Sequence, residues 1–508
     1  TVFLILKKED DKLGNNVPKV LYNIERFVEK HIIEVYSKEG GKNMDAFADK
    51  LGRVGAWCGQ NKYLSAIKNA FQNFMPATIA GAIGVLWTNV LINDRVVNGA
   101  PQGLGGLISG IMVLEPLNAI FSAIQFATIS CISIGIVILV AQEIGEMNGE
   151  SGIFSAVLGF VSWMVVTPNT YGMAGQTVTL ADSTTKVVSD FLPKGATVAD
   201  FGGISSRYTG ATGLFTALIV GIIALEIFGF LRKMDALKIK MPDQVPPGVA
   251  KSFEILIPAF LTVTIVGTLG FIIQSVSGHY VNDVIFQLVQ DPLGNIIGNN
   301  LLAVLLLFVI ISLFWLVGIH GNNMVEAINQ SIFRSLLYAN TAAYTSATYS
   351  GQQDIPNILN LTMLEMFGKW GGSGLTLSLV IAIFIFGKRE DNRAIATLSV
   401  VPGLFNINET VTFGMPIVLN PILGIPFILA PCLSLTIGYF LTVVGFCPKV
   451  VLEVPWTMPP LLMGFLATGG NIMGAISQLI AIVVCVVIYA PFLIAYEKYQ
   501  NKQSEKID

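Results

Sequence analysis

Pro402-Gly-Leu-Phe-Asn-Ile-Asn-Glu-Thr-Val-Thr-Phe-Gly-Met-Pro416 lies inside a run of 55 residues, Ala394 to Pro448, in which Glu409 is the single charged side chain. A carboxylate at the centre of a helix in hydrocarbon costs roughly 2.5–3.5 kcal/mol on insertion scales. Glu409 is therefore expected to face a cavity, and it points to function. The chain around it is dense in proline and glycine as far as Pro460. Proline removes backbone donors and kinks helices, and non-helical backbone at membrane depth is tolerated only where protein or a water-filled cavity satisfies it. Discontinuous helices or a re-entrant hairpin are expected to carry Glu409 into the membrane.

Outward from this stretch the composition agrees. Of 508 residues 53% are hydrophobic and 12% charged, about half the charged share of a soluble domain, and mean hydropathy is +0.67. The expected fold is an all-α polytopic membrane protein. Ala70–Ile92 and Ile255–Ser277 are uncharged runs of 23 residues, about 35 Å as helix and enough to cross a core of about 30 Å. Leu117–Ala141 and Leu301–Ile319 are as clean; Ser151–Val166, Thr212–Leu231 (interrupted by Glu226) and Gly371–Gly387 are shorter or less pure. From Thr410 to Tyr496 only Lys449 and Glu453 are charged, which leaves room for three more crossings.

Lysine and arginine set the orientation. Arg232, Lys233, Lys238, Lys240 and Lys251 crowd one loop, Lys388, Arg389 and Arg393 another, and Lys498, Lys502 and Lys506 the tail. The positive-inside rule places all three in the cytoplasm, together with Lys50, Arg53, Lys62 and Lys68 before the first span. An even number of crossings before Arg232 is then required. Net charge of −3 offers no basic patch for nucleic acid. The five cysteines lack any C-x-x-C spacing, so neither a zinc site nor a redox pair is indicated. Tyr280–Gln290 reads as an amphipathic piece at the interface, and the polar stretch Thr167–Ser206 as a hairpin or flap over one face.

His320, in Gly318-Ile-His-Gly-Asn-Asn323, is the only titratable residue between Asp291 and Glu326. Asn322 and Asn323 beside it add the uncharged donors and acceptors that hydroxyl recognition needs. Trp456, in Val454-Pro-Trp-Thr-Met-Pro-Pro460, and Trp315, about one turn before His320, are candidates to stack on a sugar ring. Position alone fits lipid-interface anchoring equally well for both. His31 and His279 read as bystanders.

Asn406-Ile-Asn-Glu-Thr-Val-Thr-Phe-Gly-Met-Pro-Ile-Val-Leu-Asn-Pro421 strongly resembles the N-E-P-V-x-F-G-x-P-I-x-x-N-P signature of the membrane (IIC) component of bacterial phosphotransferase systems of the lactose/cellobiose/diacetylchitobiose type. Asn61–Pro76 resembles the family's opening helix, Pro242-Asp-Gln-Val-Pro-Pro-Gly-Val249 its mid-chain loop, and Pro455–Pro460 with Gly464–Gly470 its C-terminal segment. The resemblance implies a homodimeric permease of about ten helices in the bacterial plasma membrane, with both termini cytoplasmic, that binds a β-linked disaccharide. A separate cytoplasmic IIB protein, served by IIA, would then phosphorylate the sugar from a phosphocysteine. The family's sugar-binding glutamate falls on Glu409 and its histidine on His320, and Asn408, Asn322 and Trp456 complete the candidate substrate-binding set. One departure is Thr410, where the family has proline.

A neutral sugar hydroxyl is well served by a buried carboxylate, a charge-assisted acceptor. No phosphocysteine loop, Walker A motif or paired hydrolytic carboxylates occur in the chain, so no catalytic residue, metal or cofactor is assigned and the phosphoryl chemistry is expected elsewhere. The rival reading is an ion-coupled secondary transporter in which Glu409 and His320 relay protons. Residues 44–497 are expected to form the permease domain and 498–508 a cytoplasmic tail. Residues 1–43, charged and without a span, read as a soluble extension outside the fold; Val2-Phe-Leu-Ile-Leu6 is too short for a signal-peptide core and looks like a cut-off strand or tag remnant.

Overall fold

The structure, a computed structural model, describes residues 49–504 apart from 58–59, 98–99, 102, 172–176, 180–184, 188–200, 243, 299 and 347. The extension at 1–43 and the last four residues lie outside the described residues. Helices dominate; the only pairing of strands among the described residues is in three short antiparallel ladders, two of them within the polar stretch expected to form a hairpin. Among the described residues seven helices are long and apolar enough to cross a membrane, or eight if the bent pair Val281–Gly298 and Leu301–Leu316 counts as one span.

Helix α1 (Lys62–Leu86) starts on Asn61, whose side chain accepts from Tyr63 N and Leu64 N. The expected span Leu117–Ala141 is instead two helices, α2 (Asn118–Thr128) and α3 (Ile132–Met147), with a turn between them. The interruption has identifiable partners: Ser130 O accepts from Thr209 Oγ1 at 2.6 Å, and Ser133 Oγ donates to Gly210 O at 2.6 Å. Together α2 and α3 still run antiparallel to α1 along its whole length. Phe121 stacks on Trp87 at 4.3 Å, Phe74 fills the space beside Gly135, and Asn148 meets Lys62 at 2.6 Å.

Small residues let the next helices close in, as is common between membrane helices. Gly145 and Gly159 seat α3 against α4 (Gly152–Val166), and Gly221 seats α5 (Leu214–Arg232) on Val140. Lys62 pairs with Glu226 and Arg232 with Glu150. The start of α1 and the ends of α3 and α5 therefore share one end of the molecule, as the lysine and arginine pattern requires. Helix α6 (Leu256–Ser277) packs through Gly267 and Gly270 on Val165 and Val166 of α4.

The second half is built from interrupted helices. Helix α7 (Leu301–Leu316) turns at His320 into α8 (Gly321–Ile328), which continues through a wide turn into α9 (Arg334–Tyr344). Helix α10 (Leu361–Gly368) and α11 (Thr376–Phe386) are separated by a glycine-rich loop. Helix α12 (Glu390–Leu404) reverses into α13 (Glu409–Gly414), with Gly414 against Ile395. Helix α14 (Pro421–Val443) leads into an irregular limb that returns through α15 (Leu462–Ala467) to α16 (Ile472–Ser504). Near the end of α16, Glu497 accepts from Lys388 N at 2.8 Å and from Arg389 N, joining two of the basic segments.

Candidate functional site

The reversal between α12 and α13 presents Glu409. Pro402 O accepts from Phe405 N and Ile407 N, and Asn406 sits at φ +65°, a left-handed conformation that asparagine tolerates better than most residues. Its side chain then joins three segments. Oδ1 accepts from Gly371 N at 2.6 Å, while Nδ2 donates to Trp456 O and, at 3.0 Å, to Met458 O.

Opposite this tip lies the loop between α10 and α11, where Gly371, Gly372, Gly374 and Leu375 all have positive φ. Gly372 has no room for a Cβ beside Asn408. The loop directs Ser373 at two candidate residues. Asn322 Nδ2 donates to Ser373 Oγ at 2.8 Å; Asn408 Nδ2 donates to Ser373 O and to Thr412 Oγ1, both at 3.1 Å. Asn408 is buried with its amide donating to the loop at Ser373 and to Thr412 of α13, whereas Asn322 keeps a buried Oδ1 without a hydrogen-bond partner among the described residues.

His320 forms the turn into α8, and its imidazole is 4.6 Å from the Trp315 ring. Trp315 is only 3% exposed, so it backs the histidine rather than lining a cleft. Glu409 lies within electrostatic reach of His320. Both are exposed, and Trp456 is 46% exposed. The limb that carries Trp456 is held by buried side chains and by its own backbone. Val450 O accepts from Asn340 and Asn360, Val451 O accepts from Thr341 at 2.7 Å, and the backbone of Val451 and Leu452 donates to Ala467 O.

The structure thus brings Glu409, His320, Asn322 and Trp456 to the meeting of four segments that are distant in sequence, with Asn408 fixing the loop behind them. Asn406 and Ser373 were not singled out from the sequence as site residues; the signal for Asn406 was a Pro-Gly-x-x-Asn turn directly before the glutamate. The group as a whole offers a carboxylate, an imidazole, an amide and an indole face, a set suited to a neutral polyhydroxyl ligand. Among the described residues no three His, Cys, Asp or Glu side chains gather as metal ligands would. A cavity of about 220 Å³ elsewhere is lined by Pro416, Val418, Asn420, Tyr496 and Tyr499.

Apolar helices long enough to cross a membrane define the class: an integral membrane protein. Residues 68–431 match the family described as Phosphotransferase system, EIIC, and the chain belongs to that family of sugar-transport permeases. It is 30% identical over 448 residues to the oligo-beta-mannoside-specific EIIC component of the PTS system of Bacillus subtilis (strain 168), covering 88% of this chain and 92% of that one. Over 481 residues it is 29% identical to the cellobiose-specific EIIC component of Lactococcus lactis subsp. lactis (strain IL1403), covering 89% and 97%. The crystal structure of the transporter ChbC, the IIC component from the N,N'-diacetylchitobiose-specific phosphotransferase system, matches with a TM-score of 0.75 at 29% identity, over 94% of this chain and 99% of that chain.

Proposed function

We propose that the chain binds a β-linked disaccharide, moves it across the plasma membrane, and presents it to a separate cytoplasmic IIB protein, itself charged by IIA, for phosphorylation. The observation that carries this reading is the convergence of Glu409, His320, Asn322 and Trp456 where the α12–α13 reversal meets the limb before α15. The sugars in the relatives' names, oligo-beta-mannosides, cellobiose and N,N'-diacetylchitobiose, support the substrate class. In this reading Glu409 accepts a bond from a sugar hydroxyl and orients it toward the phosphoryl donor. His320 and Asn322 bond neighbouring hydroxyls, Trp456 stacks on a C–H face, and Asn408 holds the loop that holds Asn322.

The same reading takes 44–497 as the permease domain of a homodimer with both termini cytoplasmic. Counting α2 with α3, α8 with α9 and α10 with α11 as single paths, the chain makes about ten crossings. The α12–α13 pair and the limb from Val450 to Gly470 enter as re-entrant hairpins from opposite faces. Gly414 returning to Ile395 supports the first, and Val451 pairing with Ala467 the second.

Calorimetric titration with cellobiose, diacetylchitobiose and lactose tests the site. At least one sugar should bind the wild type, and Glu409→Gln, which exchanges a charged acceptor for a neutral one, should lose about 1.5–3 kcal/mol, roughly ten- to a hundredfold in affinity. Wild-type affinity in Glu409→Gln would remove the glutamate from the sugar site. A proton relay predicts that outcome together with loss of uphill transport.

A further inference from the structure

Glu453 is, after Glu409, the second of two carboxylates between Arg393 and Tyr496, buried at 8% exposure three residues before Trp456. Both its oxygens are engaged: Oε1 accepts from Arg334 Nη2 at 2.8 Å and Oε2 from the Tyr338 hydroxyl at 2.5 Å. Arg334 and Tyr338 stand four residues apart on α9, so one helix face grips the carboxylate from both sides. Arg334 is 4% exposed, lies over the Phe71 ring at 5.6 Å, and leaves Nε and Nη1 without a hydrogen-bond partner among the described residues.

A buried ion pair with unsatisfied nitrogens is a poor source of stability, because desolvating two charges offsets their attraction. What it supplies is direction: two bonds from fixed positions on a helix set the place of one carboxylate. The chain joins that place to both sides of the site. The helical path carrying Arg334 and Tyr338 runs from His320 through α8 and the wide turn into α9, and the limb carrying Glu453 reaches Trp456 through Val454 and Pro455. Neutral bonds hold the limb before it, at Val450 and Val451, and after it, at Trp456 and Met458. Glu453 is the charged anchor between them.

We infer that Arg334, Tyr338 and Glu453 are positioning residues for sugar recognition: they fix the Trp456 limb against α9, the continuation of the α8 helix that starts at His320, and so set the opening between indole and imidazole. The inference rests on the proposed role of Trp456 as a sugar ligand. None of the three side chains touches sugar in this account; each acts through Trp456.

A double-mutant cycle with calorimetric titration of the sugar panel tests this. Tyr338→Phe removes one hydroxyl and should weaken binding roughly three- to tenfold, the range for one lost hydrogen bond. Trp456→Ala should weaken binding by itself. In the Trp456→Ala background, Tyr338→Phe should have no further effect, since the residue through which it acts is gone. Should Tyr338→Phe not yield a folded protein, Glu453→Gln takes its place in the same cycle with the same expected cancellation. Additive losses, or an unchanged affinity in Tyr338→Phe, overturn the inference while leaving the sugar site intact. Wild-type affinity in Trp456→Ala removes the indole from the site and the inference with it.

Discussion

At Asn406 a single buried side chain bonds the backbone of two other segments, one 35 and one about 50 residues away. Its replacement by alanine strands Gly371 N and two carbonyls and discards the residue type that tolerates φ +65°. Asn406→Ala should cost about 2–4 kcal/mol for three hydrogen bonds, read as a lower unfolding temperature in detergent and weaker sugar binding together; an unchanged melting curve would contradict the architecture given to the site. His320→Ala should weaken binding, and the double variant with Glu409→Gln should lose less than the sum if both groups hold one ligand. These two residues were legible because a charge or a titratable ring in an uncharged run is costly and therefore conspicuous. Asn406 was legible only as part of a Pro-Gly-x-x-Asn turn, since nothing in the sequence shows the distant partners that its side chain bonds. The Arg334–Glu453 pair, 119 residues apart, was invisible for the same reason.

Among the elements, hydropathy located the runs well and their interruptions poorly. Leu117–Ala141 contains Gly135 but no proline, and its break at Ile129–Cys131 is met by Thr209 and Gly210, from a segment beyond the next helix. By contrast, the proline and glycine density after Pro402 announced the α12–α13 reversal directly. The glycine-rich loop before α11 is more demanding than its length suggests. Gly374 holds φ +72°, and a Cβ there would stand 2.2 Å from the Phe427 ring. Gly374→Ala should therefore lose about 2–4 kcal/mol through left-handed strain and overpacking combined, which thermal unfolding would detect; retention of wild-type stability would mean the loop has slack. The basic loop after α5 divides by role. Arg232 pairs with Glu150 and Lys238 with Asp235, whereas Lys233 and Lys240 form no ion pair among the described residues. If an acidic partner docks here, neutralising Lys233 and Lys240 should slow sugar phosphorylation in a salt-dependent way and leave equilibrium sugar binding unchanged. An unchanged rate at low salt would end that assignment.

For the molecule as a whole, composition was enough for the membrane class, and four motifs in order were enough for the family, because both are properties of the sequence itself. The packing that assembles the site was not legible: it depends on loops meeting across long separations. Since the segment resembling the family begins near Met44 and residues 1–43 contain no apolar span, their removal should leave membrane insertion and sugar binding intact, measured by size-exclusion chromatography and titration; loss of the folded, sugar-binding protein would refute that boundary. The central claim, translocation coupled to phosphorylation by a partner, is tested most directly in sealed vesicles supplied with phosphoenolpyruvate, the soluble phosphotransferase proteins and a panel of β-disaccharides. The account predicts sugar-dependent consumption of phosphoenolpyruvate, sugar phosphate as the product inside, and no inhibition by a protonophore. Accumulation of free sugar that collapses when the protonophore is added would contradict it.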